Sequence, residues 1–212
     1  FLSEYERKEI LRGRIYRLLP VVAILLLIGL WMLASSGASS QFPSPAEVWA
    51  RYMKMVERPI RKLGLLGHIW ASLQRVFIAL AFAWVIGISF GILIGWNKKA
   101  NALFGPIFTA FRAVPPLAWV PLVTMWFGTG EFPKILIVFV GALMPVVVNT
   151  QAGIANVLKE YLDIGTIFNA NRRQMLFEIA IPSALDAIFA GIRNSTSAGW
   201  MVVLAAEMLG GK

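Results

Sequence analysis

The sequence has 212 residues, of which 58% are hydrophobic and 15% charged, and its mean hydropathy is +0.70. Soluble domains contain about 45–50% apolar and about 25% charged residues, so the composition excludes a soluble enzyme, a secreted disulfide scaffold and a disordered tail. The net charge of +9 indicates basic flanks of membrane spans, and it disfavours nucleic-acid binding because the basic residues surround long apolar stretches.

Residues 1–17 are polar and basic, and an apolar segment at 18–34 follows them. At about 1.5 Å per residue this segment can cross a hydrocarbon core of roughly 30 Å with help from its flanks. Four further apolar segments follow, so we interpret it as a retained anchor, not a signal peptide. Because basic residues favour the cytoplasmic side, we predict a cytoplasmic segment at 1–17 and a transmembrane domain at 18–212, although the bias along the whole chain is weak.

A connection rich in Ser and Gly leads to Pro43-Ser44-Pro45, after which residues 45–58 have the periodicity of an amphipathic helix. Its apolar positions are Val48, Trp49, Tyr52, Met53 and Val56. We predict a helix at the membrane surface, where headgroups would also accommodate the basic residues of this connection.

The second apolar segment, residues 69–96, contains a small residue at every fourth position. These residues are Ala79, Ala83, Gly87, Gly91 and Gly95. In a membrane such a row allows a neighbouring backbone to approach closely, so we predict a helix-packing face. A phosphate-binding loop is excluded because the glycines lie inside an apolar helix and no P-loop pattern is present.

The third and fourth apolar segments, residues 106–127 and 134–149, both contain prolines. Pro115, Pro116 and Pro121 are expected to break the third, because proline removes a backbone donor and disfavours helix at the preceding residue. A kink is expected at Pro145 in the fourth. The polar residues that follow, Asn149, Thr150, Gln151 and Asn156, predict an exit to water.

Residues 157–181 are too charged to cross a bilayer, yet they predict two short helices joined by a turn at Asn169-Ala170-Asn171. The first helix is expected to place Leu158, Tyr161, Leu162, Gly165 and Phe168 on one face. A fifth span follows at 183–208. The prediction is therefore an all-α membrane protein with five crossings.

Five charged residues lie within or at the edges of the apolar segments: Arg75, Arg112, Asp186, Arg193 and Glu207. A charge at mid-bilayer costs about 2.5–3.5 kcal/mol on insertion scales, so each needs water, a partner or a function. Arg75 and Arg112 are close enough to segment ends to extend toward water. Arg193 opens a polar run to Ser197, for which interhelical hydrogen bonding and lining of a path are equal alternatives, whereas for Glu207 a structural role is preferred.

The segment at 163–182 reads DIGTIFNANRRQMLFEIAIP, and it resembles the cytoplasmic coupling motif of ABC importer permeases. Further matches are Pro43-Ser44-Pro45 with Val48-Trp49, FRAVPPLAWVPLVTMWFGTGE at 111–131, NTQAGI at 149–154, and GIR and GWMVVLAAEM between 191 and 208. They resemble, over nearly the whole chain, the permeases for sulfonates, taurine, nitrate and bicarbonate.

This resemblance implies a bacterial inner-membrane subunit with the type I importer permease fold, in which a sixth span is expected beyond the five. It also implies a homodimer that binds two ATP-binding subunits and receives its solute from an external binding protein. ATP and Mg would be bound by the partner subunits, and this chain, which contains no cysteine and a single histidine, is expected to hold no metal or cofactor. The cargo is expected to be a small anion, with a sulfonate such as taurine first, and nitrate, bicarbonate or a thiamine precursor as alternatives.

The resemblance also implies two groups of functional residues. The ATPase-coupling residues are Leu158, Tyr161, Leu162, Asp163, Gly165, Phe168, Asn169, Arg172 and Arg173. The candidate path residues are Arg112, Pro115, Pro116, Trp119, Arg193, Asn194, Ser197 and Glu207. For Trp119, ordinary packing between helices or anchoring at the membrane interface is at least as good an interpretation.

The chain departs from the family pattern at three positions that bear on these roles. Asp163-Ile164-Gly165 stands where the family has Glu-Ala-Ala, and Asn169 stands where glycine is usual, so the coupling helix is expected to bend or pack differently. The polar run at 194–197 replaces a mostly apolar stretch, which suggests an unusual cargo.

Two other classes of protein are alternatives to a transport subunit. An intramembrane enzyme would need Asp186, Glu207 and the run from Ser195 to Ser197 to supply acid, base or nucleophile, but no HExxH helix, paired aspartates or G-x-S-x-G elbow is present. A purely structural subunit would not need an amphipathic helix pair outside the membrane or polar residues at mid-span. We therefore predict a transport subunit, not an enzyme.

Overall fold

The computed structural model describes residues 4–36, 42–57 and 64–209, with the side chains of 4–15 and 209 left out of the description. The chain divides into two compact units, residues 1–68 and 69–212. The all-α class is confirmed, because the described residues form helices joined by short turns and no strand occurs among them.

The first unit contains α1 (Glu4–Ser35) and α2 (Pro45–Glu57). The helix α1 begins well before the apolar segment predicted at 18–34, because Glu, Arg, Lys and Leu before it are good helix formers. Its apolar part, Tyr16–Ser35, is long enough to span a membrane. The Trp31 indole Nε1 donates to the Pro43 carbonyl at 3.0 Å, which ties the approach to α2 back to the last turns of α1.

The helices that follow are α3 (Leu65–Trp96), α4 (Lys98–Arg112), α5 (Trp119–Phe127), α6 (Glu131–Ala155), α7 (Lys159–Ile167), α8 (Arg172–Gln174), α9 (Ile181–Ser183) and α10 (Leu185–Leu209). A short 3₁₀ turn at Pro116–Ala118 precedes α5, and a π-helical turn at Met175–Ala180 joins α8 to α9. The side chain of Asn97 accepts from the backbone N–H groups of Lys99 and Ala100, so α4 begins eight residues before the predicted segment.

Three helices of the described chain can each span a membrane: Tyr16–Ser35, Leu65–Trp96 and Glu131–Ala155. Two bent pairs reach the required length together. They are Lys98–Arg112 with Pro116–Phe127, bent by 77°, and Arg172–Ser183 with Leu185–Met208, bent by 59°. The predicted count of five crossings holds if each bent pair is one span.

The helix α6 is packed on two sides, by α3 and by α10. Gly87 and Gly91 of α3 lie against Val146 and Thr150 of α6, so closely that an added Cβ would meet those side chains at 2.9 and 2.7 Å. On the other side, a Cβ at Gly153 of α6 would meet the Ala187 Cβ of α10 at 2.7 Å. Small residues at the contacts therefore let three backbones lie side by side.

The predicted exit to water at residues 149–156 is wrong at Thr150. The helix α6 continues to Ala155, and Thr150 is fully buried against Gly91. A small polar side chain fits a close helix contact as well as an apolar one, so polarity did not mark the end of the span. Only Asn156 lies beyond the helix and is exposed.

The buried core of the second unit consists of apolar side chains from α3, α5, α6 and α10. Its members include Val76, Ala79, Leu80, Ala83, Val120, Val123, Ile137, Val138, Ala142, Val202, Val203 and Ala206. A second cluster joins the end of α6 to the segment before α10 and to the first turn of α10 through Ile154, Ala180, Ala184 and Ile188. This second cluster connects the short helices to the spans.

Candidate functional site

The two predicted short helices are present as α7 and α8, and a tight turn joins them. The Ala170 N–H donates to the Gly165 carbonyl at 2.9 Å, and Asn169 has a positive φ of 53°. This is the left-handed helix end that glycine usually provides and that asparagine also tolerates. Asn169 therefore keeps the turn that glycine would make at this position.

The second helix of the pair is capped at its start. The Asn171 side chain accepts from the N–H groups of Arg173 and Gln174, and the Gln174 side chain accepts from the Asn171 N–H at 2.9 Å. This reciprocal capping box fixes the direction in which the chain leaves the turn. Arg172 and Arg173 are exposed beside it.

Gly165 sets the contact between the two helices. A Cβ at this position would overlap the Met175 Sδ and would lie 2.6 Å from the Ile179 Cδ1. A side chain here would force the Met175 and Ile179 side chains to move. Gly165 therefore holds α7 close to the segment that leads into α10.

The five residues predicted to share one face of this region differ in burial. Gly165 is buried and Leu162 half-buried, whereas Leu158, Tyr161 and Phe168 are exposed. Sequence reasoning missed Ile164 and Ile167, which are 50% and 75% exposed. The helical phase could have identified both residues. At about 100° per residue, Ile167 lies nearly opposite Gly165 and Ile164 lies about 100° from it, so neither shares the inward direction of Gly165.

The result is an exposed apolar surface on a segment outside the spans. Its members are Leu158, Tyr161, Ile164, Ile167 and Phe168, which we call the α7 apolar surface. Asp163 is exposed on the same helix. An open cleft lies beside the surface, lined by Tyr161, Ile164, Glu178, Ile179, Pro182 and Ser183. Where exposed apolar residues of this kind face water, they mark a site of protein association.

The predicted break of the third apolar segment lies between α4 and α5. Arg112 and Pro115 are exposed and Pro116 is half-buried. Trp119 packs against Phe111 with ring centroids 4.8 Å apart and the rings tilted by 43°, yet its buried indole N–H finds no acceptor among the described residues. A buried donor of this kind can serve a water molecule or a polar solute.

The polar run on α10 divides between two environments. Ser195 is fully buried, where its hydroxyl accepts from the Trp84 indole at 2.8 Å and donates to the Ile192 carbonyl. Arg193, Asn194 and Ser197 are exposed and lie within about 100° of the helix circumference. Interhelical hydrogen bonding therefore occurs at Ser195, whereas lining of a path by its three exposed polar neighbours stays a prediction.

Arg75 joins three helices at one end of the second unit. Its guanidinium forms an ion pair with Glu131 of α6, including an Nη2 to Oε1 bond of 2.9 Å, and its Nη1 lies 2.7 Å from the Glu207 Oε1 of α10. The Ser72 hydroxyl donates to the same Glu207 oxygen at 2.6 Å, and Lys134 Nζ lies 3.6 Å from Glu131. Arg75 was expected to extend toward water, and in the structure its charge is paired within the protein with two acids that solvent reaches.

These contacts also bear on the enzyme alternative. Its proposed Ser195 nucleophile is buried in a hydrogen bond between helices, and the Glu207 carboxylate is bound to Arg75. Asp186 is exposed at the start of α10. No group of three or more potential metal ligands occurs in the described part of the chain.

Comparisons with known proteins place these features in context. Residues 85–212 match the family of binding-protein-dependent transport system inner membrane components. The nitrate import permease protein NrtB of Synechocystis is 35% identical over 197 residues, covering 90% of this chain and 71% of the relative. The bicarbonate transport system permease protein CmpB of Synechococcus elongatus is 32% identical over 91% of this chain and 72% of its own length. The taurine transport system permease protein TauC of Escherichia coli is 36% identical over 67% of this chain and 52% of the relative.

Proposed function

This chain belongs to the family of inner membrane components of binding-protein-dependent transport systems, and on that premise we propose that it moves a small anion handed over by a binding protein. It is a multi-pass membrane permease of the ABC importer class. In the proposal two copies form the transport unit, and two ATP-binding subunits hold ATP and Mg. Residues 1–17 lie in the cytoplasm, and residues 18–212 form the permease domain.

The α7 apolar surface is the observation that supports coupling to ATP-binding subunits. Its Ile167 and Phe168 side chains are 75% and 79% exposed on a segment too polar to lie in lipid. Burying such side chains in a groove of a partner removes apolar area from water, worth about 25 cal/mol per Å². The same helix packs through Gly165 against Met175 and Ile179 of the π-helical turn, so a partner that moves α7 would also move the segment that leads into α10.

The route from α7 into the membrane follows packed residues. Gly165 lies against Met175 and Ile179 of the π-helical turn, and the next turns supply Ala180 and Ala184 to the cluster with Ile154 of α6. Because packed clusters move as units, closure of the partner subunits would displace the end of α6 and the start of α10 together. Such displacement can expose the path between two copies to alternate sides of the membrane.

Exposed cationic and polar groups support an anionic solute. Arg193, Asn194 and Ser197 are open on one side of α10, and Arg112 is open at the end of α4. Guanidinium groups bind carboxylate, sulfonate-like and other oxyanions through paired N–H donors. The unsatisfied Trp119 indole donor adds a neutral hydrogen-bond donor at the proline break.

Different observations favour two classes of cargo, sulfonates and small inorganic anions. The segment Trp126-Phe127-Gly128-Thr129-Gly130-Glu131 favours a sulfonate such as taurine, as the resemblance implies. Nitrate and bicarbonate are favoured by the permeases NrtB and CmpB, which align with 90% and 91% of this chain. A thiamine precursor is the remaining alternative. All of them need the same coupling segment.

The test is ATP hydrolysis by the reconstituted complex of this chain with its ATP-binding partner and binding protein. The binding protein is loaded in turn with taurine, an alkanesulfonate, nitrate, bicarbonate or a thiamine precursor. We expect one loaded form to stimulate hydrolysis. Failure of the chain to assemble with an ATP-binding subunit would overturn the proposal.

A matched pair of variants tests the α7 apolar surface itself. Ile164→Asp places a charge on that surface and is expected to abolish most of the stimulation, because burial of an unpaired carboxylate opposes docking. Thr166→Asp places the same charge about 160° away around α7 and should retain stimulation. Equal loss in both variants, or no loss in Ile164→Asp, would contradict docking through this surface.

A further inference from the structure

The helix α2 is amphipathic, and no described residue of it is buried. With successive residues about 100° apart, its large apolar side chains occupy one side of the helix and its charged residues the other. The apolar side consists of Val48, Trp49, Tyr52, Met53 and Val56, which are between 42% and 65% exposed. Trp49 and Tyr52 lie together, with ring centroids 5.5 Å apart.

The depth of α2 relative to the bilayer follows from α1. The apolar part of α1, Tyr16–Ser35, is a candidate span, and Trp31 lies near its end. The bond from the Trp31 indole to the Pro43 carbonyl holds the chain at that level two residues before α2 begins. Tryptophan near the end of a span is typical of the membrane interface, so α2 starts at headgroup depth.

The start of α2 is capped by side chains, and the cap uses one of the two acids of the helix. The Ser44 N–H donates to the Glu47 carboxylate at 2.9 Å, and the Glu47 N–H donates to the Ser44 hydroxyl at 3.3 Å. This capping box uses the Glu47 carboxylate to satisfy the helix end. Glu57 is then the remaining acid of the helix.

Basic residues dominate the polar side and the sequence that follows it. Arg51 and Lys54 lie on the polar side of α2, and Arg58, Arg61 and Lys62 come next in the sequence, beyond the described part of the helix region. This part of the sequence therefore contains five basic residues and two acids, Glu47 and Glu57. Basic clusters of this kind close to a membrane surface are attracted to anionic lipid headgroups.

We propose that α2 lies in the plane of the membrane interface, with its apolar side in the lipid and its basic side bound to the headgroups of anionic phospholipids. An amphipathic helix with aromatic residues on one side and basic residues on the other binds membranes in this way. Because α2 is the next helix after a candidate span, it attaches the subunit to lipid headgroups in a way that does not depend on which solute is carried.

The absence of cysteine from the sequence makes a site-specific test direct. Single cysteines replace Val48 and Val56 on the apolar side, or Ala50 and Lys54 on the polar side, in the full chain in lipid nanodiscs. Each carries a nitroxide, and its collisions with oxygen and with a water-soluble nickel complex are measured. We expect high oxygen and low nickel accessibility for Val48→Cys and Val56→Cys, and the reverse for Ala50→Cys and Lys54→Cys.

Lipid composition then tests the headgroup preference. The same labels are measured in phosphatidylcholine alone and in an equal mixture with phosphatidylglycerol. The proposal expects deeper apolar-side labels in the anionic bilayer, an effect that salt weakens because it screens exposed charges. Arg51→Glu with Lys54→Glu should remove the dependence on lipid, whereas Arg51→Lys should retain it.

Each other outcome overturns the proposal. Equal accessibility of all four labels would show that α2 does not lie on lipid. Immobilised apolar-side labels with low oxygen accessibility in both bilayers would show that a protein partner covers this face. Depths that do not change between the two lipid compositions would remove the anionic headgroup preference.

Discussion

Glycine positions in α3 determine how closely this helix approaches α6. At Gly91 an added Cβ would lie 2.7 Å from the Thr150 Cβ and 3.0 Å from the Val147 carbonyl oxygen. The second neighbour is backbone, which cannot rotate out of the way as a side chain can. A methyl group at this position must therefore separate the helices.

We expect Gly91→Ala to destabilise the second unit by about 1–3 kcal/mol, the usual cost of overpacking a close contact. The measurement is unfolding in mixed micelles titrated with denaturing detergent and followed by tryptophan fluorescence. Gly29→Ala in α1 is the control, because nothing lies within 4 Å of its added Cβ. Alanine is a better helix former than glycine, so the control should be neutral or slightly stabilising. Similar losses in both variants would refute a close contact at Gly91.

At the level of elements, the Arg75 cluster joins the N-terminal half of α3, the start of α6 and the end of α10. The Arg75 side chain is 16% exposed, whereas those of Glu131 and Glu207 are 63% and 32% exposed. Solvent reaches the acids, so the ion pairs are weaker than fully buried ones. Removal of the Arg75 charge nevertheless deprives the Glu131 and Glu207 carboxylates of the cation that they share.

We expect Arg75→Gln to destabilise the second unit by about 1–3 kcal/mol, less than the cost of breaking a fully buried pair. The combined variant Arg75→Gln with Glu207→Gln should lose less than the sum of the two single losses, because the pair is coupled. Lys134→Gln is the control, expected to change stability by less than about 0.5 kcal/mol since its contact is longer. Strict additivity in the detergent titration would show that Arg75 and Glu207 do not interact.

At the level of the whole molecule, α6 fixes the relative sides of two segments. Its 25 residues measure about 37 Å along the helix axis, enough to cross a bilayer. Thr129 precedes α6 and Thr166 follows it in α7, and both are exposed. In the proposed orientation Thr129 is external and Thr166 cytoplasmic.

Labelling of single cysteines in intact spheroplasts with a membrane-impermeant maleimide measures this orientation. We expect Thr129→Cys to react and Thr166→Cys to react only after the membrane is opened. The opposite pattern would reverse the orientation and remove the proposed cytoplasmic N-terminus. Reaction of both from outside would show that α6 does not span the membrane.

Much of the architecture could be predicted from local patterns. Apolar runs of sufficient length give membrane helices wherever water is absent, because every backbone polar group must then be bonded within the helix. The small-residue row from Ala79 to Gly95 and the turn at Asn169-Ala170-Asn171 were likewise legible, since each depends on residue type at fixed spacing.

Contacts between distant segments could not be read in this way. Thr150 was expected near water and is buried, Arg75 was expected to reach water and is paired with Glu131 and Glu207, and Ser195 binds Trp84. Each outcome depends on a partner at least 50 residues away in the chain, which no periodicity specifies. Composition and spacing therefore determined the class, the spans and the family resemblance of this protein, while the tertiary structure decided which polar groups are satisfied inside and which remain open to a solute or a partner.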